Sequence, residues 1–332
     1  MLSRVAEAIY WMSRYVERAD NLARFIEVHH NLVLDLPQTD SESWQPLVKI
    51  TGDEALFTAR YGQPTRADVI QFLAFDADYP HSIVACLAQA RANARSVRET
   101  ISSETWEQLA EFQALVAHAA ALPPADRPHD LFERVRLAGH LFQGIIDSTM
   151  SHNEGWHFAR LGRMLERADK TSRILDVKYF LLLPRVQDVG GPLDDLQWSA
   201  VLQSVSAFEM YRKRHHGITP PRVVEFLLLD REFPRAVRHC SQAADESLRA
   251  ISGTPRDTFR NQAEQRLGQL QSELAFASVE QIVAGGLHEF IDGLQLKLNR
   301  VNDAIEQTFF ALRPDDPGTA PAPGRRPSDR AE

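Results

Sequence analysis

One charged helix pattern occurs twice in this chain, and it constrains the fold more than any other feature. Residues 13–28 read SRYVERADNLARFIEV, and residues 162–177 read GRMLERADKTSRILDV. Both carry a small residue, Arg, two spacers, Glu-Arg-Ala-Asp, three spacers and Arg. The first copy is Ser13, Arg14, Glu17, Arg18, Ala19, Asp20 and Arg24; the second is Gly162, Arg163, Glu166, Arg167, Ala168, Asp169 and Arg173. On a helix, Arg14, Glu17, Arg18 and Asn21 share one face, and Val16, Ala19, Ala23 and Ile26 share the other. Leu165, Ala168, Ser172 and Leu175 repeat the apolar stripe in the second copy.

The repetition extends well beyond the motif. VIQFLAFDADYPHSIV at 69–84 is answered by VVEFLLLDREFPRAVR at 223–238. Phe72, Leu73, Asp76 and Pro80 thus match Phe226, Leu227, Asp230 and Pro234 at an offset of 154, as do Trp44 with Trp198 and Cys86 with Cys240. The Glu17–Glu166 offset is 149, so the two blocks differ by a five-residue insertion. Period-2 alternation is almost absent, and apolar residues recur at three- and four-residue steps. The expectation is an all-α fold: a duplicated six-helix unit packed as one helical-bundle body about a pseudo-twofold axis. Residues 1–128 form the first repeat, 129–312 a linking helix plus the second repeat, and 313–332 a disordered tail rich in proline and charge.

Local signals set the elements. The first helix should run from Ser3 to Leu34 and stop before Pro37. Trp44–Ile50 follows, then a short helix capped by Thr65 through Phe75. Pro80 suits the first turn of the next helix, which reads to Glu99. Ser103 caps Glu104–Ala120. Further helices are expected at Asp130–Met150, Asn153–Leu183, Leu196–Arg214, Pro221–Leu229, Pro234–Ile251, Asp257–Ala277 and Ser278–Leu312.

Within the motif, Asp20–Arg24 and Asp169–Arg173 are i,i+4 ion pairs, and Arg14–Glu17 and Arg163–Glu166 are i,i+3 pairs. Because the same residue types recur in order, Arg14, Glu17, Arg18, Arg163, Glu166 and Arg167 are the candidate functional face. Glu17 and Glu166 would meet as a carboxylate pair ringed by arginines, with small residues Ala19, Ala23, Ala168 and Ser172 permitting close approach. Arginines keep carboxylates ionised, so such a site suits gripping an anionic or peptide-like group more than acid catalysis. Asp76 and Asp230 are expected to bond free N–H groups at the start of the following helix.

A competing reading is a di-metal bundle site. Glu27-Val-His-His30 and Glu154-Gly-Trp-His157 are two Glu-x-x-His motifs, the spacing used by helical di-iron centres. Twelve histidines make such matches unsurprising, and Glu27 and His30 align with Asp176 and Tyr179 rather than with the second motif. No metal or other cofactor is therefore assigned. No glycine-rich phosphate loop, GxSxG or Ser-His-Asp order is present.

Net charge of −8 gives no electrostatic support to a nucleic-acid role. No apolar run is long enough to span a bilayer, and the opening MLSRVAEAIYWMSRYVER lacks the apolar region of a signal peptide. Two cysteines without CxxC spacing fit a reducing, cytoplasmic compartment. Cys86 and Cys240 read as small core residues, buried and reduced.

SRVAEAIYWMSRYVERADNLAR and STMSHNEGWHFARLGRMLERAD resemble the bacterial alpha-E domain family, a helical family with a Glu-Arg motif. The resemblance covers most of residues 1–312. Ser13 replaces the glycine expected in the first copy, and Tyr79 and Phe233 replace a capping Asn before Pro. The resemblance implies a cytoplasmic accessory protein acting with an ATP-grasp-type ligase in peptide or amide-bond synthesis or modification, binding the ligase or its peptide substrate. It carries over no catalytic residues, so whether the chain is itself an enzyme stays open. The other readings are a metal-dependent helical-bundle enzyme using the Glu-x-x-His motifs and a structural scaffold without catalysis. Oligomeric state is not set by the sequence.

Overall fold

A computed structural model of the chain describes residues 1–35, 44–181 and 191–311. The expected tail lies outside the described residues, as does most of the Gly-Gly-Pro connection. Every regular element among the described residues is helical. In order they are α1 (Ser3–Asp35), α2 (Gln45–Thr51), α3 (Glu54–Tyr61), α4 (Arg66–Ile70, continued by a π turn to Phe75), α5 (Ile83–Ser96), α6 (Ser103–Ala121) and α7 (Leu131–Thr149). The second series is α8 (Glu154–Leu181), α9 (Pro192–Ser204), α10 (Phe208–Arg214), α11 (Pro220–Leu229), α12 (Val237–Ser252), α13 (Gln262–Phe276), α14 (Val279–Gly285) and α15 (Leu287–Ile305, continued by a π turn to Phe310).

The two motif helices, α1 and α8, form the centre. They run in the same direction: Met1 lies beside Glu154, Tyr10 beside Gly162 and Arg14 beside Glu166. α1 also packs on α5, α7 and α9, while α8 packs on α12, α15 and α2. α2 therefore crosses to the second motif helix and α9 to the first. α5–α6–α7 make one outer layer, and α12–α13–α15 make the other.

Matched contacts occur at residues 154 apart. Arg60 donates to Asp76, and Arg214 to Asp230. The Asp78 N–H donates to Asp76 at 2.9 Å, and the Glu232 N–H to Asp230 at 2.8 Å. Phe72 stacks on Tyr79, and Phe226 on Phe233. Trp44 and Trp198 are both buried, as are the free thiols of Cys86 and Cys240. Burial pushes both thiols up to about 12, so they stay protonated and act as small apolar residues.

Several local expectations need correction. Asp76 and Asp230 hold the turn before the next helix rather than that helix's own N-terminus. The α5 cap is Ser82, which accepts from the Ala85 N–H, and α12 starts after Ala236 without a side-chain cap. Pro80 accordingly sits in the turn. The α6 cap is Ser102, one residue earlier than expected. α3 falls in a stretch too short to show periodicity. The expected Leu196–Arg214 helix breaks at Ser206, which has φ +51°. The expected Ser278–Leu312 helix breaks at Gly286, whose φ of +97° favours glycine.

The α1–α8 approach is closest at Gly162. A Cβ built there would lie 2.5 Å from the Tyr10 carbonyl oxygen, which is backbone and cannot swing away. Gly162→Ala should therefore cost about 1–3 kcal/mol by overpacking, read as a drop in the denaturation midpoint. Gly144→Ala, where no heavy atom lies within 4 Å, should instead gain up to about 1 kcal/mol from helix propensity. Equal stability of Gly162→Ala and wild type would show that the helices are not held this tightly.

Candidate functional site

The charged stripe is itself the interface between α1 and α8. Each Glu-Arg dipeptide gives its carboxylate to the other helix and takes that helix's carboxylate in return. Glu166 accepts from Arg14 Nε at 3.0 Å and Nη2 at 2.8 Å, and from Arg18 Nε at 2.6 Å and Nη2 at 3.0 Å. Glu17 accepts from Arg167 Nε and Nη2, both at 2.8 Å. It also accepts from Arg235 at 3.1 Å, Asn21 at 3.0 Å and Gln143 at 2.8 Å. Both glutamates are 0% exposed, so the pairs lie in the protein interior.

The expected i,i+4 pairs form: Asp20 with Arg24 and Asp169 with Arg173. The expected i,i+3 pairs do not. Arg14 crosses to Glu166 instead of bonding Glu17. Arg163 turns to Asp147, 3.5 Å away, instead of bonding Glu166. Besides Gln143, Arg235 and His81 join from outside the motif. Arg235 bonds Glu17, Asn21 and Asp20, and His81 accepts from Arg18 through Nδ1 at 2.7 Å. These sit at the same register of the repeat, 154 residues apart, and aligning the blocks one residue past the prolines would have found them. At 100° per residue Ala19, Ala23, Ala168 and Ser172 lie on the far sides of α1 and α8 from these contacts. They are fully buried but do not form the close approach expected of them. Gly162 does.

The electrostatics fix the protonation states. Burial opposes ionisation of Glu17, but Arg167 and Arg235 overcome it and hold the carboxyl well below its ordinary range. Burial likewise opposes ionisation of Glu166, and Arg18, Lys170 and Arg14 hold it down. Asp169 is lowered against its burial by Lys170 and Arg173. These carboxyls carry no proton to donate near neutral pH and are saturated with donors. Acid–base catalysis by the Glu17/Glu166 pair is not what this geometry offers.

The metal alternative fails on position. Glu27 pairs with Arg136 at 3.3 Å, and Glu154 holds the Met1 amino group at 2.8 Å. Because α1 and α8 are parallel, Glu27 and His30 lie on the order of 35 Å along the axis from Glu154 and His157. The four side chains cannot share an ion. Asp176, His288 and Asp292 do bring ligand atoms within 4.8 Å of one another. Their separation in sequence hides this cluster. His288 hydrogen-bonds Asp176 at 2.8 Å, which raises its pKa, and lies 3.4 Å from Asp292. The group is an imidazole held between two acids.

The family model for Alpha-E, described as a predicted alpha-helical domain with a conserved ER motif, matches residues 1–310. The chain belongs to the Alpha-E family. Its ER dipeptides, Glu17-Arg18 and Glu166-Arg167, are the residues that exchange partners across the core. Uncharacterized proteins of Mycobacterium bovis and Mycobacterium tuberculosis are 26% identical over 93% of this Alpha-E chain and 37% of their own length. The chain thus spans little more than a third of these relatives, which carry further chain beside the Alpha-E region. No solved structure matches it. No helix among the described residues is long and apolar enough to cross a membrane.

Removing Glu166 takes the carboxylate from buried Arg14 and Arg18, and removing Glu17 takes it from buried Arg167, while Arg235 keeps Asp20. Glu17→Ala or Glu166→Ala should cost roughly 3–5 kcal/mol, measured by chemical denaturation; a loss under about 1 kcal/mol would return the motif to surface decoration. The pH dependence follows from the same shifts. Folded values below the unfolded ones give stability that is fully present above the ordinary carboxylate range, about 4–4.5. It is lost as pH falls through the depressed values. Stability should therefore fall from about pH 4.5 downward, and Glu166→Gln should flatten that slope. An unchanged slope would show that Glu166 is not held ionised in the fold.

Proposed function

We propose that this Alpha-E chain is a cytoplasmic accessory protein that works with an ATP-grasp-type ligase in peptide or amide-bond synthesis or modification, by binding the ligase or its peptide substrate. The observation that carries the reading is the reciprocal Glu–Arg tie. It spends the family's signature carboxylates on holding two helices together, which leaves a rigid body suited to binding rather than a reaction centre. The relatives support it, because in them this region accompanies further chain, as expected of a unit that acts beside another. Two reduced, buried thiols agree with a reducing compartment. The two-half organisation belongs to the same proposal: a body made of two alike halves offers a groove along their junction.

The test is co-purification of the tagged chain from its host with the ATP-grasp ligase encoded nearby, followed by reconstitution of amide formation. Co-elution and a change of at least about tenfold in rate on adding the chain are expected. A ligase that neither co-elutes nor changes its rate overturns the proposal.

A further inference from the structure

The two Glu-Arg motifs have unlike surroundings. Beside Glu17, Arg235 fills the space, donating to Glu17, Asn21 and Asp20. At the matching register beside Glu166 stands His81, shorter, which reaches Arg18 alone within this cluster. Burial and the Arg18 guanidinium lower His81 to about 4, so it is neutral. Lys170 stands where the first motif has Asn21. Where the other half has a closing arginine, this half has a cavity of about 140 Å³ lined by Arg14, Arg18, Tyr79, His81, Lys170 and Arg173. That is about ten times the 10–15 Å³ needed for one water, room for a small multi-atom ion.

The charges around this cavity do not cancel. Arg14, Arg18, Lys170 and Arg173 face the carboxylates of Glu166 and Asp169. Asp53, which accepts the Tyr79 hydroxyl at 2.7 Å, is the next acid behind the wall. Counting it leaves four cations against three carboxylates. The lining also has donors to spare. Arg173 engages Asp169 through Nε at 2.9 and 3.0 Å, leaving its two terminal nitrogens as donors. Lys170 meets Asp169 at 3.1 Å and has further N–H groups. Because Arg18 donates to Nδ1 of His81, the neutral ring carries its proton on Nε2, one more donor.

We infer that this cavity binds a single oxyanion, a peptide carboxylate or a phosphate, which takes the space beside Arg18 that Arg235 fills beside Glu17 and offsets the excess of cations around the cavity. The Arg173 guanidinium with the Lys170 ammonium and an imidazole N–H beside it is a donor set for such a group, while Arg14 and Arg18 stay on Glu166. A peptide carboxylate as the natural ligand rests on the function proposed above; the site itself rests on the cavity and its charge.

The experiment is isothermal titration of the full chain in low-chloride buffer. The probes are inorganic phosphate, N-acetyl-Ala-Ala and the C-terminal amide of that dipeptide. Saturable one-to-one binding of phosphate or the free-acid dipeptide is expected, with none for the amide, and which of the two binds names the source. Lys170→Gln should weaken binding by about tenfold. His81→Glu, which supplies a built-in carboxylate beside Arg18, should abolish it while melting at or above the wild-type temperature. Arg238→Gln, in a separate groove, should bind like wild type. No saturable binding by either anion, or wild-type binding by both Lys170→Gln and His81→Glu, overturns the inference. The titration needs no ligase, so a site that binds while the ligase fails to co-purify removes the accessory role and leaves the site standing.

Discussion

Glu17 and Glu166 are each taken out of water and placed against arginines of the other helix. Desolvating a carboxylate and its partners costs several kcal/mol, which the Coulombic gain offsets only when geometry is good and the remaining lone pairs are filled. Here the geometry meets that demand. Glu166 has four guanidinium N–H contacts, and Glu17 has two arginines, an asparagine and a glutamine. A slip of α1 against α8 by one turn would leave several of these charges buried without partners. The tie therefore fixes the direction and register of the two central helices, and the outer layers pack onto a centre set by it. Gly162 sets the depth of approach at which the guanidinium groups reach across.

Much of this was legible in the sequence. Three- and four-residue apolar spacing located the long helices to within a few residues, and the duplicated charged frame singled out Arg14, Glu17, Arg18, Glu166 and Arg167. What spacing does not carry is which partner a long side chain chooses. Arg14 has Glu17 three residues away on its own helix, yet it crosses to Glu166, while the equally buried Glu17 is filled by Arg167, Arg235, Asn21 and Gln143. Read from sequence, the two glutamates come together as a pair, but the close approach falls to the small residues Ala19, Ala23, Ala168 and Ser172, on the rule that helices meet through small side chains. That rule holds where water competes for the charges, and it inverts where each charge has a fixed partner. The helix breaks at Ser206 and Gly286 were also hidden, since a single positive φ leaves the apolar periodicity on either side intact.

Residues other than the Glu-Arg dipeptides distinguish the surroundings of the two motifs. Arg235 and His81 occupy one register of the repeat, and Asn21 and Lys170 occupy another. On one side a long cation inserts and the lysine position is neutral, giving a closed network. On the other the inserted residue is a neutral imidazole and the cation has moved to α8, which opens a cavity beside Arg18 and Arg173. The tie beneath is common to both sides, since Arg14 and Arg18 hydrogen-bond Glu166 as Arg167 does Glu17.

This division has a consequence for where function can reside. The central carboxylates are held ionised and are filled with donors, so any change in them is felt first as lost stability. A residue that must adapt to a ligand has to sit where its loss leaves the helices in register. Lys170 meets that condition: Arg173 still pairs with Asp169 when Lys170 is gone. His81 meets it as well, because Arg18 keeps its two bonds to Glu166 without the ring. Under the binding proposed for this cavity, selection would act on these rim positions while the Glu-Arg dipeptides stay committed to the core. On this argument a family defined by its ER motif shares a body, and differences in what its members bind are to be sought beside the motif rather than within it.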